Sequence, residues 1–171
     1  KHGEEHQSDK SVVFAFGSHS HNLPPNTWEQ ITTCALSLPC DSVVVVADPL
    51  PKGLNLEAFS RRMTSVPYQD VFSSNTLVVH HGGAGTTALC LSAGAPSVAI
   101  PRSADQFFWA KMLEQSGLGK EILDVRKLNQ VMQRALYSDA LFRTANDYAH
   151  NFVRTGSEKA ARFVLAEIEG C

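Results

Sequence analysis

Short, unbroken apolar runs alternate with longer stretches of helical periodicity along this chain. The clearest apolar runs are SVVFAF at 11–16, SVVVVA at 42–47, LVV at 77–79 and SVAI at 97–100. Runs of this length without a polar interruption are typical of strands that are covered on both faces, as in a parallel sheet. The pattern therefore predicts at least four buried strands.

The segments after these runs have the spacing of helices. The first predicted helix follows Pro24-Pro25, with Asn26 or Thr27 as its N-cap, and Pro39 ends it. A second helix is predicted at 84–93, where Gly94 provides the stop.

The C-terminal third of the chain is predicted to be mostly helical. One helix is expected to begin at Asp105 as N-cap and to end at Gly117. From residue 125 onward the pattern predicts three helical pieces, with Asp139 and Ser157 as candidate caps.

Weaker patterns fill the middle of the chain. Residues 54–63 are predicted to hold a short helix, 64–66 a short strand stopped by Pro67, and 68–72 one helical turn. A last short strand is predicted at 121–123.

Strands and helices alternate about six times, which is typical of an α/β protein. We expect a Rossmann-like, doubly wound parallel sheet of about six strands with helices on both faces. Residues 1–10 are predicted to be a linker or tail, and 11–171 a single domain. Ligands of such sheets bind beyond the carboxyl ends of the strands, so the loops there are the candidate site.

Composition narrows the functional classes. The chain is 43% hydrophobic and 19% charged, with a net charge of -2, which is ordinary for a globular protein and indicates no nucleic-acid partner. No run of 18 apolar residues and no signal-peptide pattern occur, so neither a transmembrane segment nor secretion is predicted. Because the sequence does not begin with Met, we expect an excised or tagged piece rather than a complete gene product.

The cysteines favour a reducing compartment. They show no C-x-x-C spacing and no regular framework, so we interpret them as reduced and expect a cytoplasmic location. These residues are Cys34, Cys40, Cys90 and Cys171.

The stretch LVVHHGGAGTT at 77–87 carries the strongest chemical signal. It predicts a buried strand, a glycine turn and a helix start, where unpaired N–H groups and the helix dipole favour an anion such as a phosphate. Thr86 and Thr87 offer hydroxyl donors, and His81 offers a ring N–H. The alternative is a strand–helix turn that needs glycine for packing alone.

Two common nucleotide-binding patterns are absent. No G-x-G-x-x-G follows the first strand, so a nicotinamide or flavin fingerprint is unsupported. The P-loop pattern G-x-x-x-x-G-K-[ST] is missing as well.

An ordered set of motifs resembles the donor-binding, C-terminal domain of GT-B fold UDP-glycosyltransferases, most closely the group that includes the sterol 3-β-glucosyltransferases. The set comprises FGS at 16–18, VPYQDVF at 66–72, HHGGAGTT at 80–87, GAPSVAIP at 94–101 and the pair Asp105-Gln106. It covers nearly the whole chain from residue 11, and an ordered set is far more specific than a lone HGG.

The resemblance implies site residues in three groups. The pair that hydrogen-bonds sugar hydroxyls would be Asp105 and Gln106, and the nucleoside would lie near Ser65 and Val66. Ser65 stands where plant members of the wider family have a stacking tryptophan. The donor diphosphate would be bound by Ser18, His81, Gly83, Gly85 and Thr86.

The resemblance also implies a reaction. An acceptor hydroxyl of a sterol, a lipid or another small molecule would attack the anomeric carbon of a UDP-sugar, with UDP-glucose as the expected donor and with inversion. No catalytic residue is expected in this chain, because the family's general base lies in a separate N-terminal acceptor domain. We therefore expect the isolated domain to be inactive, with no cofactor and no metal.

Partners follow from the same resemblance. The chain is expected to bind UDP or a UDP-sugar and to pair with an N-terminal acceptor domain, and peripheral membrane contact of the parent protein fits a lipid acceptor. An alternative is a non-catalytic nucleotide-sugar-binding subunit that partners a separate acceptor-binding half.

Other polar residues near the motifs have simpler interpretations. His80 is interpreted as a structural strand-end residue, and Tyr68 as a packing residue. His19 and His21 form an H-x-H pattern, which we interpret as exposed or acceptor-facing rather than metal-binding, because no carboxylate lies nearby. Arg102 is equally compatible with a phosphate contact and with simple solvation.

The aromatic cluster Phe107, Phe108 and Trp109 is expected to lie mostly in the core. One of the three rings is a candidate for contact with the partner domain. Asp105 is expected to act as both helix cap and sugar ligand, since the two roles are compatible.

Overall fold

The computed structural model describes residues 10–40, 42–47, 49, 52, 54–63 and 66–152. Six parallel strands form one sheet in the order β3-β2-β1-β4-β5-β6. The strands are β1 (Ser11–Gly17), β2 (Val43–Ala47), β3 (Arg61–Met63), β4 (Thr76–His80), β5 (Ser97–Ala99) and β6 (Gly119–Glu121). The predicted doubly wound α/β fold is confirmed.

Helices cover both faces of the sheet. They are α1 (Pro25–Ser37), α2 (Ala84–Ala93), α3 (Ala104–Gln115), α4 (Leu128–Leu136) and α5 (Asp139–Asn151). Short 3-10 turns lie at Ser18–Asn22, Leu56–Ala58, Tyr68–Asp70 and Val125–Lys127. Among the described residues, no helix combines the length and the apolar character that a bilayer crossing needs.

Side-chain alternation along β1 divides the core into two layers. Val12 and Phe14 point into one layer, which α1 and α4 cover, whereas Val13 and Ala15 point into the other, which α2 covers through Cys90. Because every central strand is buried on both faces, its sequence is a continuous apolar run rather than an alternating one. This explains why the central strands were predictable.

The central strand β1 pairs with β2 on one side and with β4 on the other. Ala15 lies opposite His80 of β4, so the loops that follow these two strands leave the sheet side by side. The pairing of β1 with β2 shifts register by one residue between Ala15 and Gly17. The shift places Gly17 opposite Ala47, which is the last residue of β2.

The predictions at the two edges of the sheet are partly wrong. The predicted helix at 54–63 is a single 3-10 turn followed by β3, whereas most of the predicted strand at 64–66 lies outside the described residues. Strand β6 ends at Glu121, where the predicted strand at 121–123 begins. Edge strands tolerate charged side chains such as Arg61 and Lys120, so hydrophobicity does not mark them.

The predicted helix N-caps are wrong by one to three residues. Helix α1 begins at Pro25, whose fixed φ suits a first helical turn, with Pro24 as N-cap in place of Asn26 or Thr27. Ser103, not Asp105, precedes α3. Ser138 caps α5 by accepting a hydrogen bond from the N–H of Leu141, so Asp139 is already helical. The predicted cap Ser157 lies outside the described residues.

The predicted helix stops are confirmed. Gly94 and Gly117 both have a φ of +69°, in the left-handed region that favours glycine after a helix.

Phe107 and Phe108 are 43% and 56% exposed, so the prediction that these rings lie in the core is wrong. They lie on the outer side of α3 because its inner side is formed by Gln106, Ala110 and Leu113.

The N-terminal boundary differs slightly from the predicted tail at 1–10. The Lys10 ammonium donates to the Leu136 carbonyl at 2.9 Å and pairs with Asp139 at 3.0 Å. Lys10 is therefore attached to the C-terminal helices, whereas residues 1–9 lie outside the described part of the chain. Cys34 and Cys90 are buried free thiols, as predicted, Cys40 is half-buried, and Cys171 is not among the described residues.

Candidate functional site

His80 and Gly82 fix the conformation of the loop between β4 and α2. His80 is fully buried at the end of β4, and its Nδ1 accepts a 3.0 Å hydrogen bond from the N–H of Gly82. Gly82 has a φ of +84°, and a Cβ there would lie 2.9 Å from the carbonyl oxygen of Gln106. Only glycine satisfies both conditions, so this loop brings the start of α2 against the start of α3.

The start of α2 presents uncapped backbone donors. Gly83 is the N-cap, and no described side chain caps this end of the helix. The first-turn residue Gly85 is exposed, with no described atom within 4 Å of the position of its absent Cβ, and Thr86 beside it is half-buried. Open N–H groups at a positive helix end form a site for an anion.

His81 lies directly before this helix start. Its ring is 9% exposed, its Nδ1 has no hydrogen-bond partner among the described residues, and its Nε2 contacts the position that a Cβ of Gly83 would occupy. Burial, and then the proximity of His19, lower the pKa of His81 to about 4, while Asp105 acts in the opposite direction. The ring is therefore neutral near pH 7.

The first loop of the sheet reaches the same place. Gly17 has a φ of +49°, and a Cβ there would lie 3.0 Å from the hydroxyl of Tyr68. Ser18 follows, exposed, and the ring of His19 stacks on the ring of His81 with centroids 4.3 Å apart and planes at 28°. The predicted residues Ser18 and His81 are thus brought together through His19.

The start of α3 supplies the acidic and amide groups. Asp105 is exposed, and its Oδ1 accepts a 2.8 Å hydrogen bond from the hydroxyl of Ser103, which is the main cause of the lowered pKa of Asp105. The proximity of His81 contributes to the lowered pKa of Asp105 in the same direction, as a smaller cause. Gln106 is buried, and its Oε1 accepts a 2.8 Å hydrogen bond from the N–H of Arg102.

Of the two residues predicted to lie near the nucleoside, the structure describes only one. Ser65 lies outside the described residues, whereas Val66 is half-buried against the layer of core that contains Val13. Tyr68 belongs to the same layer and stacks on Phe72 with centroids 4.9 Å apart, while burial raises the pKa of its phenol. The hydroxyl of Tyr68 lies close to the backbone of Gly17. The interpretation of Tyr68 as a packing residue did not anticipate this contact.

His19 is the residue at this site that the sequence interpretation missed. A signal was present, because a histidine follows shortly after each of two strands that proved to be neighbours, β1 and β4. Within the described residues, no group of three His, Cys, Asp or Glu side chains is placed to bind a metal.

Two cavities are lined by other residues than His81 and Asp105. One of about 630 Å³ lies between α1 and the chain after β2, against Trp28, Glu29 and Lys52. Another of about 520 Å³ lies beyond β5 and β6 and is lined by Arg102 and Arg126. The candidate site is instead the group of residues around His81, where an anion can meet backbone donors and an imidazole, and an attached group can meet a carboxylate and an amide.

Comparison with known proteins supports a family assignment. The profile of the family described as "Erythromycin biosynthesis protein CIII-like, C-terminal domain" matches residues 31–168. A sterol 3-β-glucosyltransferase of Arabidopsis thaliana is 43% identical over 63 residues, which is 37% of this chain and 10% of that protein. The UDP-sugar-dependent glycosyltransferase 52 of Dictyostelium discoideum is 32% identical over 100 residues, 56% of this chain and 6% of that protein.

A solved structure agrees with these sequence matches. The glycosyltransferase SsfS6 of Streptomyces sp. SF2575, crystallised with thymidine diphosphate, superposes with a TM-score of 0.66 at 26% identity. The superposition covers 82% of this chain and 36% of SsfS6. The matches therefore span a tenth or less of either curated relative and about a third of the solved protein.

Proposed function

This chain belongs to the family of EryCIII-like C-terminal domains of glycosyltransferases, and from that premise we propose that it binds a UDP-sugar, with UDP-glucose as the donor. It would be the donor half of an inverting, metal-independent enzyme that acts on the hydroxyl of a sterol, a lipid or another small molecule. The observation that carries the proposal is the meeting of the starts of α2 and α3 through the contact between Gly82 and Gln106.

The diphosphate is assigned to the start of α2. The groups that we assign to it are the open backbone donors of this helix start, the hydroxyls of Thr86 and Ser18 and the ring of His81. A helix N-terminus contributes about 0.3–1 kcal/mol to binding an anion, and up to ~2 kcal/mol when partly buried. Because none of these groups is strong alone, the diphosphate is bound by their sum.

The sugar is assigned to the start of α3. The carboxylate of Asp105 accepts hydrogen bonds from hydroxyl groups, and the amide of Gln106 both donates and accepts. Since the Oε1 of Gln106 already accepts from the N–H of Arg102, the amide is held in one orientation before a ligand binds. The uridine is assigned to the chain at Val66 and Ser65, as in the family that the motifs resemble.

The proposed reaction is a displacement at the anomeric carbon. The acceptor oxygen forms the new bond to that carbon, the bond from carbon to the phosphate oxygen breaks, and UDP leaves with the electron pair. A general base in an N-terminal acceptor domain takes the hydroxyl proton. The charge that grows on the departing diphosphate is stabilised by the preorganised donors at the start of α2, without a required metal.

Isothermal calorimetry of the 171-residue chain with UDP-glucose in the presence of EDTA tests this function. Weak binding that added magnesium does not strengthen is the expected result, together with no transfer to a sterol by the chain alone. Binding that needs magnesium or manganese would contradict the metal-free mechanism. Equal affinity for UDP-glucose and for an unrelated adenine nucleotide sugar would contradict uridine selection.

A further inference from the structure

We propose that His19 is a second imidazole ligand of the donor diphosphate, held on His81 by ring stacking, so that the two rings bind the diphosphate with uptake of a proton from solvent. The proposal rests on the proposed function and deepens it, because it names a ligand outside the residues that the family motifs assign.

The position of His19 follows from the sheet. Strands β1 and β4 are neighbours, with Ala15 opposite His80, so the turn after β1 and the loop after β4 emerge together. His19 lies in the 3-10 turn Ser18–Asn22 and places its ring face on His81, 4.3 Å between centroids. His19 itself is exposed, so its ring nitrogens remain accessible to a ligand that binds beside Ser18.

Within the described part of the chain, neither ring of the pair forms an ion pair with a carboxylate. The Nδ1 of His81 is buried without a hydrogen-bond partner among the described residues, and the ring of His80 lies 6.5 Å away, edge to face. Of the charged groups packed around the pair, Asp105 at the start of α3 is the acidic one that acts on His81. His21 is exposed on the same turn as His19.

Without ligand, this arrangement disfavours a positive charge on the ring of His81. Burial and the adjacent His19 lower the pKa of His81, because an added proton would have to be placed in a desolvated ring beside another imidazole. A bound diphosphate reverses this balance, since its negative charge favours an imidazolium that donates a charge-assisted hydrogen bond. Binding and protonation are therefore linked.

UDP-glucose is a suitable probe because its own charge does not change in this range. Each of its phosphorus atoms carries two ester or anhydride linkages, so each retains one negative charge at neutral pH. A proton taken up during binding therefore belongs to the protein. Calorimetry in two buffers with different ionisation enthalpies measures that uptake directly, at pH 6 and again at pH 8.5.

His19→Phe keeps an aromatic ring to stack on His81 and removes the titrating nitrogens. We expect proton uptake at pH 6 to fall by at least half and the affinity for UDP-glucose to fall by about three- to tenfold, as for the loss of one hydrogen bond. At pH 8.5, where fewer protons are available for uptake on binding, the affinities of the variant and the parent should differ less than at pH 6. His21→Phe is the matched control and should behave as the parent at both pH values.

The outcomes separate the two proposals. If UDP-glucose binds the parent chain without proton uptake, or if His19→Phe keeps the uptake and the affinity, the role of His19 is wrong while the donor site stands. If the parent chain does not bind UDP-glucose at all, the proposed function itself is wrong.

A second measurement avoids substitutions. In NMR spectra of the parent chain at pH 6.5, the Cε1–H signals of His19 and His81 should move toward the imidazolium position when UDP-glucose is added, whereas that of His21 should not. Unmoved signals of both rings at saturating ligand would overturn the proposal.

Discussion

The backbone of Gly82 lies against the carbonyl of Gln106, so closely that a Cβ on residue 82 would be 2.9 Å from the carbonyl oxygen. The contact fixes the separation of the start of α2 from the start of α3. A ligand whose anionic part binds one helix start and whose hydroxyl groups bind the other depends on this separation.

Gly82→Ala should therefore reduce both stability and binding. The residue has a φ of +84°, and an L side chain there costs about 1–3 kcal/mol before the clash with Gln106 is counted. In thermal unfolding, each kcal/mol should lower the midpoint by about 2–4 °C for a chain of this size. Gly85→Ala is the matched control, because its Cβ would meet open space and alanine favours a helix. Equal midpoints for the two variants would contradict the role of the contact.

Asp105→Asn should weaken the binding of UDP-glucose by about tenfold or more and that of UDP very little, because the carboxylate is proposed to meet the sugar. Competition calorimetry with the two ligands measures the difference. Ser103→Ala removes the hydroxyl that donates to Asp105, so it should cause a smaller loss with the same preference. An equal loss for both ligands would mean that Asp105 acts through the helix start and not through the hexose.

His81→Gln should weaken UDP and UDP-glucose alike and leave uridine unaffected. A lost hydrogen bond to a charged phosphate costs about 1.5–3 kcal/mol, which corresponds to roughly tenfold to a hundredfold in affinity. Since the ring is buried, unfolding of the ligand-free variant is measured in parallel. A stable variant with the affinity of the parent would show that His81 does not contact the phosphates.

The buried histidines should make the fold sensitive to mild acid. Burial, and then His81, lower the pKa of His80 to about 3, whereas the unfolded chain takes up a proton near pH 6.5. Between these values the unfolded state binds more protons, so stability should be constant above about pH 6.5 and should decrease as the pH falls below it. The slope is at most about 1.4 kcal/mol per pH unit for each of His80 and His81, since the lowered pKa values of both, about 3 and about 4, lie below this range.

Urea unfolding from pH 8 to pH 5 measures this slope. His80→Asn provides the comparison, because its amide oxygen can accept the N–H of Gly82 but does not titrate. The variant should lose about half of the slope between pH 6.5 and pH 5, because His81 still contributes its own share. A parent chain whose stability is unchanged across this range would contradict the burial of a neutral His80.

The parts of the fold that were predictable from sequence are those that burial dictates. Val43–Ala47 is buried on both faces, so its run of valines strongly favours a central strand. The turn at Gly82 and Gly83 could be predicted from the conformational freedom of glycine. Edge strands such as β3 could not be assigned, because backbone pairing stabilises them while their side chains remain in water.

The candidate site was predictable in its motifs but not in its contacts. His81 and Asp105 could be singled out from the order of the motifs, since each stands at the start of a helix. The stacking of His19 on His81 could not, because it depends on which strands are neighbours and on the course of a 3-10 turn. The helix N-caps were predicted wrongly for a local reason. Several residues near each helix start can act as the N-cap, and the backbone geometry selects one of them.

The one-residue register shift in β1 has a consequence for exchanging the first loop with that of another protein. Side chains of a strand alternate between faces, and each residue advances the chain by about 3.3 Å, so an offset of one residue changes both direction and reach. A grafted loop with one residue fewer after Ala15 would not reach His81. Its side chains would also point to the opposite face of the sheet from those of the native loop. A successful graft would have to preserve the residue count from Ala15, even where it preserves no side chain.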